Sequence, residues 1–206
     1  VPMVIAIPNI QVVHRSLPML VELTFQLFEA ELRKHVIPLV EGQYSVQISP
    51  RGRALSGLSM GGRHTMFVGF KSLDLFGSFG VLSAGDVDSE KSLAYFLNDP
   101  DVNKKVDYLF VGQGTEEAKG RMGERSVALH EALVRHNVEH EYYVGGYAGH
   151  DWATWRHLLY HRFLPGLWRK AAPAAGKGET AAGPSRRLPW SPGSTTSSRR
   201  ARRTSG

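Results

Sequence analysis

Five short apolar runs, at 4–8, 54–58, 79–82, 106–111 and 141–144, alternate with stretches whose apolar residues recur at helical spacing. Runs of that length suit strands, and the stretches between them can carry a helix from one strand's end back to the next strand's start. Phe25, Phe28, Leu32, Val36 and Leu39 form one such face, with Pro38 marking a kink or break. Further helices are expected from Gly61, weakly over 91–97, around Leu129, Ala132 and Leu133 before a terminating Asn137, and over 152–163. Strands joined by helices run parallel through right-handed crossovers, so the pattern predicts an α/β architecture: a mostly parallel sheet flanked by helices. The 206 residues suffice for one domain with a real core, and no internal repeat is present.

Charge divides the chain. Residues 171–206 carry seven Lys/Arg and a single acid, Glu179, which accounts for the whole formal charge of +6 and leaves residues 1–170 neutral. This Ala/Gly/Pro/Ser/Arg stretch buries too little apolar surface to offset its ordering entropy, so it is expected to be a disordered, solvated basic tail. With the basicity confined there, no nucleic-acid partner is expected. No apolar run approaches the length of a membrane span, so no membrane partner is expected either. The first residues lack the basic start and small-residue cleavage site of an export signal, and localisation stays open. The absence of cysteine excludes disulfides, thiolate nucleophiles and Cys-ligated zinc.

Chemistry concentrates at the ends of the expected strands. Gly57-Leu58-Ser59-Met60-Gly61 is a G-x-S-x-G pentapeptide. Alone that motif is weak; placed between a strand and a helix it becomes a nucleophile elbow. Ser59 then occupies a strained turn that lifts its hydroxyl above the sheet, and side chains at 57 and 61 are expected to collide with neighbouring backbone. Met60 offers its N–H to a developing oxyanion, aided by the helix N-terminus.

A serine hydroxyl needs a base. Of nine histidines, His150 closes a glycine-rich loop just after the last strand, at the sheet edge that also carries the elbow. His157 and His161 stand at i, i+4, but Leu158 replaces the glutamate of a metalloprotease motif, which leaves them on a solvated helix face. His64 is expected to be structural, and His14, His35, His130, His136 and His140 to be surface residues without partners. The acid belongs on a loop between Ser59 and His150. Gly112-Gln113-Gly114-Thr115-Glu116-Glu117 meets that demand without choosing between Glu116 and Glu117; Asp86 and Asp88 are the fallback. The loop is no dinucleotide fingerprint, because Glu117 stands where the third glycine belongs. Asp151 is expected to cap the following helix.

Taken in order, ALSGLSMGG at 54–62, LSAG at 82–85, VGQGTEE at 111–117 and GHDWATWR at 149–156 resemble the esterase D-like superfamily of α/β-hydrolases. They are most similar to its feruloyl esterase and acetyl-xylan esterase branch, and the siderophore esterase branch is similar in fold. The resemblance covers residues 1 to about 169 and implies an α/β-hydrolase fold. It implies a Ser-His-Glu triad of Ser59, His150 and Glu117, with Met60 as an oxyanion donor. Trp152 and Trp155 resemble the family's tryptophans near the catalytic histidine, with substrate binding or packing of the last helix as their roles. No metal or cofactor is implied, and the partner would be a small ester or an esterified carbohydrate. Family members are often secreted or periplasmic. The family pattern also opens with further strands and a histidine-glycine loop that gives a second oxyanion N–H. That loop is not found, so the domain at 1–170 is expected to lack its N-terminal strands, with activity impaired by about 10²–10³. An inactive remnant or binding module, a siderophore esterase and an acyltransferase are the alternatives to an ester hydrolase.

Overall fold

A computed structural model describes residues 2–10, 21–146 and 149–168. The chain divides after Ala172 into two units. The second unit, and with it the tail expected over 171–206, lies outside the described residues, as does His14.

The first unit is built on four parallel strands in the order β1-β2-β3-β4: β1 Ala54–Leu58, β2 Ser78–Leu82, β3 Tyr108–Gln113 and β4 Glu141–Val144. Helices α1 Val21–Glu31 and α2 Ile37–Gln43 precede β1, and α3 Met60–His64 follows it. Three single turns, α4 Ser89–Ser92, α5 Ala94–Leu97 and α6 Val102–Lys105, lead into β3. The long α7, Arg121–Arg135, connects β3 to β4, and α8 Trp152–His157 with α9 Leu164–Gly166 ends the described chain. Four of the five expected strands are therefore present, parallel as anticipated.

The run at 4–8 is the exception. It forms no strand, with Val4 and Ile5 exposed and Ile7 91% exposed. Apolar, β-branched composition suits a strand, but pairing and burial create one, and neither is supplied here among the described residues. The helix expected through Leu39 absorbs Pro38 differently from a simple kink. A π-helical turn at Leu32–Val36 separates α1 from α2, and Pro38 falls in the first turn of α2, where its missing N–H costs nothing. Similar π-helical turns follow α3 at Thr65–Gly69 and α8 at Leu158–Phe163.

Strand alternation sends side chains to two cores. Phe79, Val81, Leu109 and Val111 face a cluster with Phe25 and Phe28 of α1, Leu32 of the π-helical turn after it, and Leu129, Ala132 and Leu133 of α7. Leu82 and Phe110 join Leu158 and Phe163 of the π-helical turn after α8, and Leu167 just past α9, on the other face. Gly80 and Gly112 lie on that second face because added methyls would press on Phe163 at 2.9 Å and Leu158 at 3.1 Å. β2 is buried at every position, as a strand covered on both faces must be. Asn137, in the left-handed region at φ 55°, ends α7 where the sequence anticipates.

Candidate active site

The carboxyl ends of the strands are locked to one another by single backbone hydrogen bonds. The residue after β1, Ser59, donates its N–H to Leu82 O of β2 at 2.9 Å. The residue after β2, Ser83, donates to Gly112 O of β3 at 2.7 Å, and Gly145, after β4, donates to Gln113 O at 3.1 Å. Every candidate site residue hangs from one of these ends.

Ser59 stands between β1 and α3 with φ 52° and ψ −116°, a conformation an L-residue adopts only under constraint. The constraint is local. An added Cβ on Gly57 would lie 2.2 Å from the carbonyl carbon of Gly61, so the strand can turn this sharply only with glycine there. Gly61 itself departs from expectation, since a methyl on it would meet nothing within 4 Å. The helix carries that position away from the strand and brings Gly62 round instead, where a Cβ would come within 2.5 Å of Ala84 Cβ. Met60 is the first residue of α3, so its N–H has no intrahelical acceptor and opens beside Ser59 at the positive end of the turn.

The Ser59 hydroxyl lies 2.8 Å from His150 Nε2, and His150 Nδ1 lies 2.8 Å from Glu117 Oε1. Because the carboxylate can only accept, Nδ1 carries the proton and Nε2 is left to accept from Ser59. His150 is partly open to solvent, whereas the Glu117 side chain is 1% exposed. A buried carboxylate must be satisfied. Glu117 has two donors besides the imidazole, the Ser83 hydroxyl at 2.6 Å and the Gly114 N–H at 3.3 Å, both on Oε2. Of the two adjacent acids only Glu117 reaches His150: Glu116 is exposed and paired with Lys119 at 2.7 Å. Asp86 and Asp88 have no contact with His150 among the hydrogen bonds of the site; Asp86 accepts instead from the Asp88 N–H at 3.3 Å.

Asp151 caps α8, accepting from the Thr154 N–H at 2.8 Å, and its bonds to backbone N–H groups hold its carboxyl below the ordinary aspartate value. The cap fixes where α8 begins, and therefore where His150 stands. Trp155 is buried, edge-on to the His150 ring at 4.9 Å, while Trp152 is 69% exposed and edge-on to Trp155 at 5.3 Å. Of the two tryptophans, only Trp152 is thus largely open to solvent. A separate cleft, lined by Phe70, Lys71, Asp74, Tyr95, Phe96 and Asp99, lies among residues leading into β2 and β3 and contains none of these groups.

The remaining histidines divide. His64 is buried against Phe25 and Phe28 with ring centroids at 4.7 and 5.1 Å, and its Nδ1 donates to Met60 O at 2.9 Å. Burial pushes its pKa below the ordinary histidine value. His130 and His140 are not the unpartnered surface residues the sequence suggests. His130 Nδ1 lies 2.7 Å from His140 Nε2, and Tyr142 stacks on His130 at 4.1 Å. His136 is likewise paired, with Glu90 at 2.7 Å. The pairs arise where α7 packs on α4 and on the approach to β4, which no local pattern reports. His157 contacts Tyr143 OH at 3.3 Å, and among the described residues no three His, Asp or Glu side chains gather as metal ligands.

Comparison with known proteins agrees with this architecture. The Esterase family model, described as "Putative esterase", matches residues 11–164. An endo-1,4-β-xylanase/feruloyl esterase of Xylanibacter ruminicola is 32% identical over 136 residues, which make up 66% of this chain and 17% of that protein. The chain thus spans about a sixth of the length of that curated relative. Among solved structures, a variant of the feruloyl esterase module from Clostridium thermocellum, complexed with sinapinate, superposes with a TM-score of 0.58 at 24% identity, covering 75% of this chain and 62% of that one. A ferulic acid esterase from Anaeromyces mucronatus in complex with ferulic acid gives 0.56 at 23% identity, covering 68% and 55%. With an α/β-hydrolase sheet beneath a G-x-S-x-G turn and a family match across most of its length, this chain belongs to the esterase family.

Proposed function

We propose that the chain hydrolyses carboxylic esters through Ser59, His150 and Glu117. One observation carries the reading: the hydrogen-bonded line from hydroxyl to imidazole to buried carboxylate, joining residues 91 and 33 positions apart in sequence. Nothing in ordinary packing requires that line. In the proposed reaction Ser59 Oγ attacks the ester carbonyl as His150 Nε2 takes its proton, and the Met60 N–H receives the developing oxyanion. His150 returns the proton to the leaving alkoxide. Water then attacks the acyl-enzyme with the same base assisting, while Glu117 holds the imidazole tautomer and stabilises its protonated form.

For substrate we propose feruloyl or acetyl esters, free or on carbohydrate. Two features support an aromatic acyl group: the largely exposed Trp152, in ring contact with the Trp155 that packs against His150, and relatives named for feruloyl and ferulic acid esters. The experiment compares wild type with Ser59→Ala on 4-nitrophenyl acetate and methyl ferulate. Loss of both activities is expected, and equal rates would overturn the assignment.

A further inference from the structure

Ser83 follows β2 as Ser59 follows β1, and its backbone adopts nearly the same left-handed φ, 50° against 52°. Glycine is the default residue for such a position and would hold it without strain. Ser83 keeps a side chain there, fully buried, and that side chain ends in one polar atom. Its hydroxyl donates to Glu117 Oε2 at 2.6 Å, the oxygen of the carboxylate that His150 does not use.

We infer that Ser83 is a positioning residue for the proposed esterase chemistry, anchoring the outer oxygen of Glu117 so that Oε1 stays in line with His150 Nδ1. The inference rests on the reading of Ser59, His150 and Glu117 as the catalytic groups. A glutamate reaches the imidazole through one more rotatable bond than an aspartate and so has more ways to miss it. Two anchors on Oε2 remove that freedom: the Gly114 N–H, from the same loop, and the Ser83 hydroxyl, from the neighbouring strand end. Ser83 is itself immobilised. Its N–H is bonded to Gly112 O, and the next residue, Ala84, accepts from the buried Ser126 hydroxyl of α7 at 2.8 Å. A methyl on Gly85 would lie 2.1 Å from Arg125 O, so α7 closes tightly over this segment. The small residues of LSAG therefore let α7 approach and present one hydroxyl to the acid. No proton leaves Ser83, which acts only through Glu117.

The test is a double-mutant cycle on kcat and KM for 4-nitrophenyl acetate, using wild type, Ser83→Gly, Glu117→Ala and the double variant, with thermal melting of each. Ser83→Gly removes the hydroxyl while keeping the backbone conformation comfortable. We expect kcat to fall roughly tenfold or more with KM changed less than about twofold, as suits a hydrogen bond to a charged group felt in the transition state. In the Glu117→Ala background the same substitution should change kcat by less than about twofold. Wild-type kcat in Ser83→Gly, or an equal loss in both backgrounds, would overturn the inference, since a merely structural role costs the same whether or not the acid is present. Should Ser83→Gly fail to melt cooperatively, Ser83→Cys, of similar size but a poor donor, runs through the same cycle with the same criteria. Ser59→Ala separates the two readings: an active Ser59→Ala sinks the triad itself, whereas an inactive one beside an unaffected Ser83→Gly sinks only the role of Ser83.

Discussion

Glu117 faces His150 from a buried carboxylate 2.8 Å away, while Glu116, its neighbour in sequence, turns outward to Lys119. The two acids differ in surroundings rather than in chemistry. Glu117→Gln preserves shape but removes the charge that, in the proposed mechanism, stabilises the imidazolium, and kcat is expected to fall by about 10³–10⁴. Glu116→Gln removes at most one exposed ion pair and should leave kcat within about twofold. Steady-state kinetics of both variants on one ester decide the matter, and the reverse ranking would transfer the role to Glu116.

The two glycines flanking the elbow should respond in opposite directions. Gly57→Ala forces a methyl to within 2.2 Å of Gly61 backbone, where nothing flexible can yield, so the variant should lose several kcal/mol, about 3 or more, or fail to fold cooperatively. Gly61→Ala meets open space inside a helical turn, where alanine is the better helix former by about 0.5–1 kcal/mol. Thermal melting should place Gly61→Ala at or above wild type and Gly57→Ala far below.

The tryptophans should separate binding from stability. Trp155, buried edge-on to His150, loses packing when cut to alanine, and Trp155→Ala is expected to cost about 3–5 kcal/mol in unfolding free energy. Trp152 is largely exposed, so Trp152→Ala should leave stability nearly unchanged. If its face meets an aromatic acyl group, KM for methyl ferulate should rise about fivefold. Chemical denaturation and Michaelis kinetics check the two halves independently.

Stability should fall on mild acidification. Burial holds His64, His130 and His140 below the ordinary histidine value of 6.5, with the His130–His140 contact adding to the shift at His130. The unfolded chain therefore takes up protons near pH 6.5 that the folded chain refuses. This contribution is complete above about pH 6.5 and is lost as pH falls from there through the lower folded values. The melting temperature should be level above pH 7 and decline toward pH 5, and His140→Gln should flatten that decline. A flat profile in the wild type would contradict it.

What the sequence made legible was whatever repeats or has fixed local spacing. Four strands follow from short apolar runs with helices between them, and Ser59 follows from glycines at a strand-to-helix junction. His150 follows from chain order and a glycine-rich loop. What stayed hidden depends on elements meeting in space. The environments of Glu116 and Glu117 differ only because the turn after β3 buries one and exposes the other. Ser83 looks like any small loop residue until the end of β2 lies beside the loop carrying Glu117, 34 positions later. The run at 4–8 reads as a strand because composition reports a preference, and a preference does not supply a partner.

The single backbone bonds that tie Ser59 to β2, Ser83 to β3 and Gly145 to β3 have a consequence for how this machinery can fail. Besides their local anchors, the proposed catalytic groups take their alignment from the register of the sheet, in which Leu58 meets Leu82 and Leu82 meets Gly112. A slip of any one pairing would carry a hydroxyl, its base or its acid bodily out of line. Heat or denaturant should therefore extinguish turnover at the same midpoint as the global unfolding signal, with no partly competent form in between.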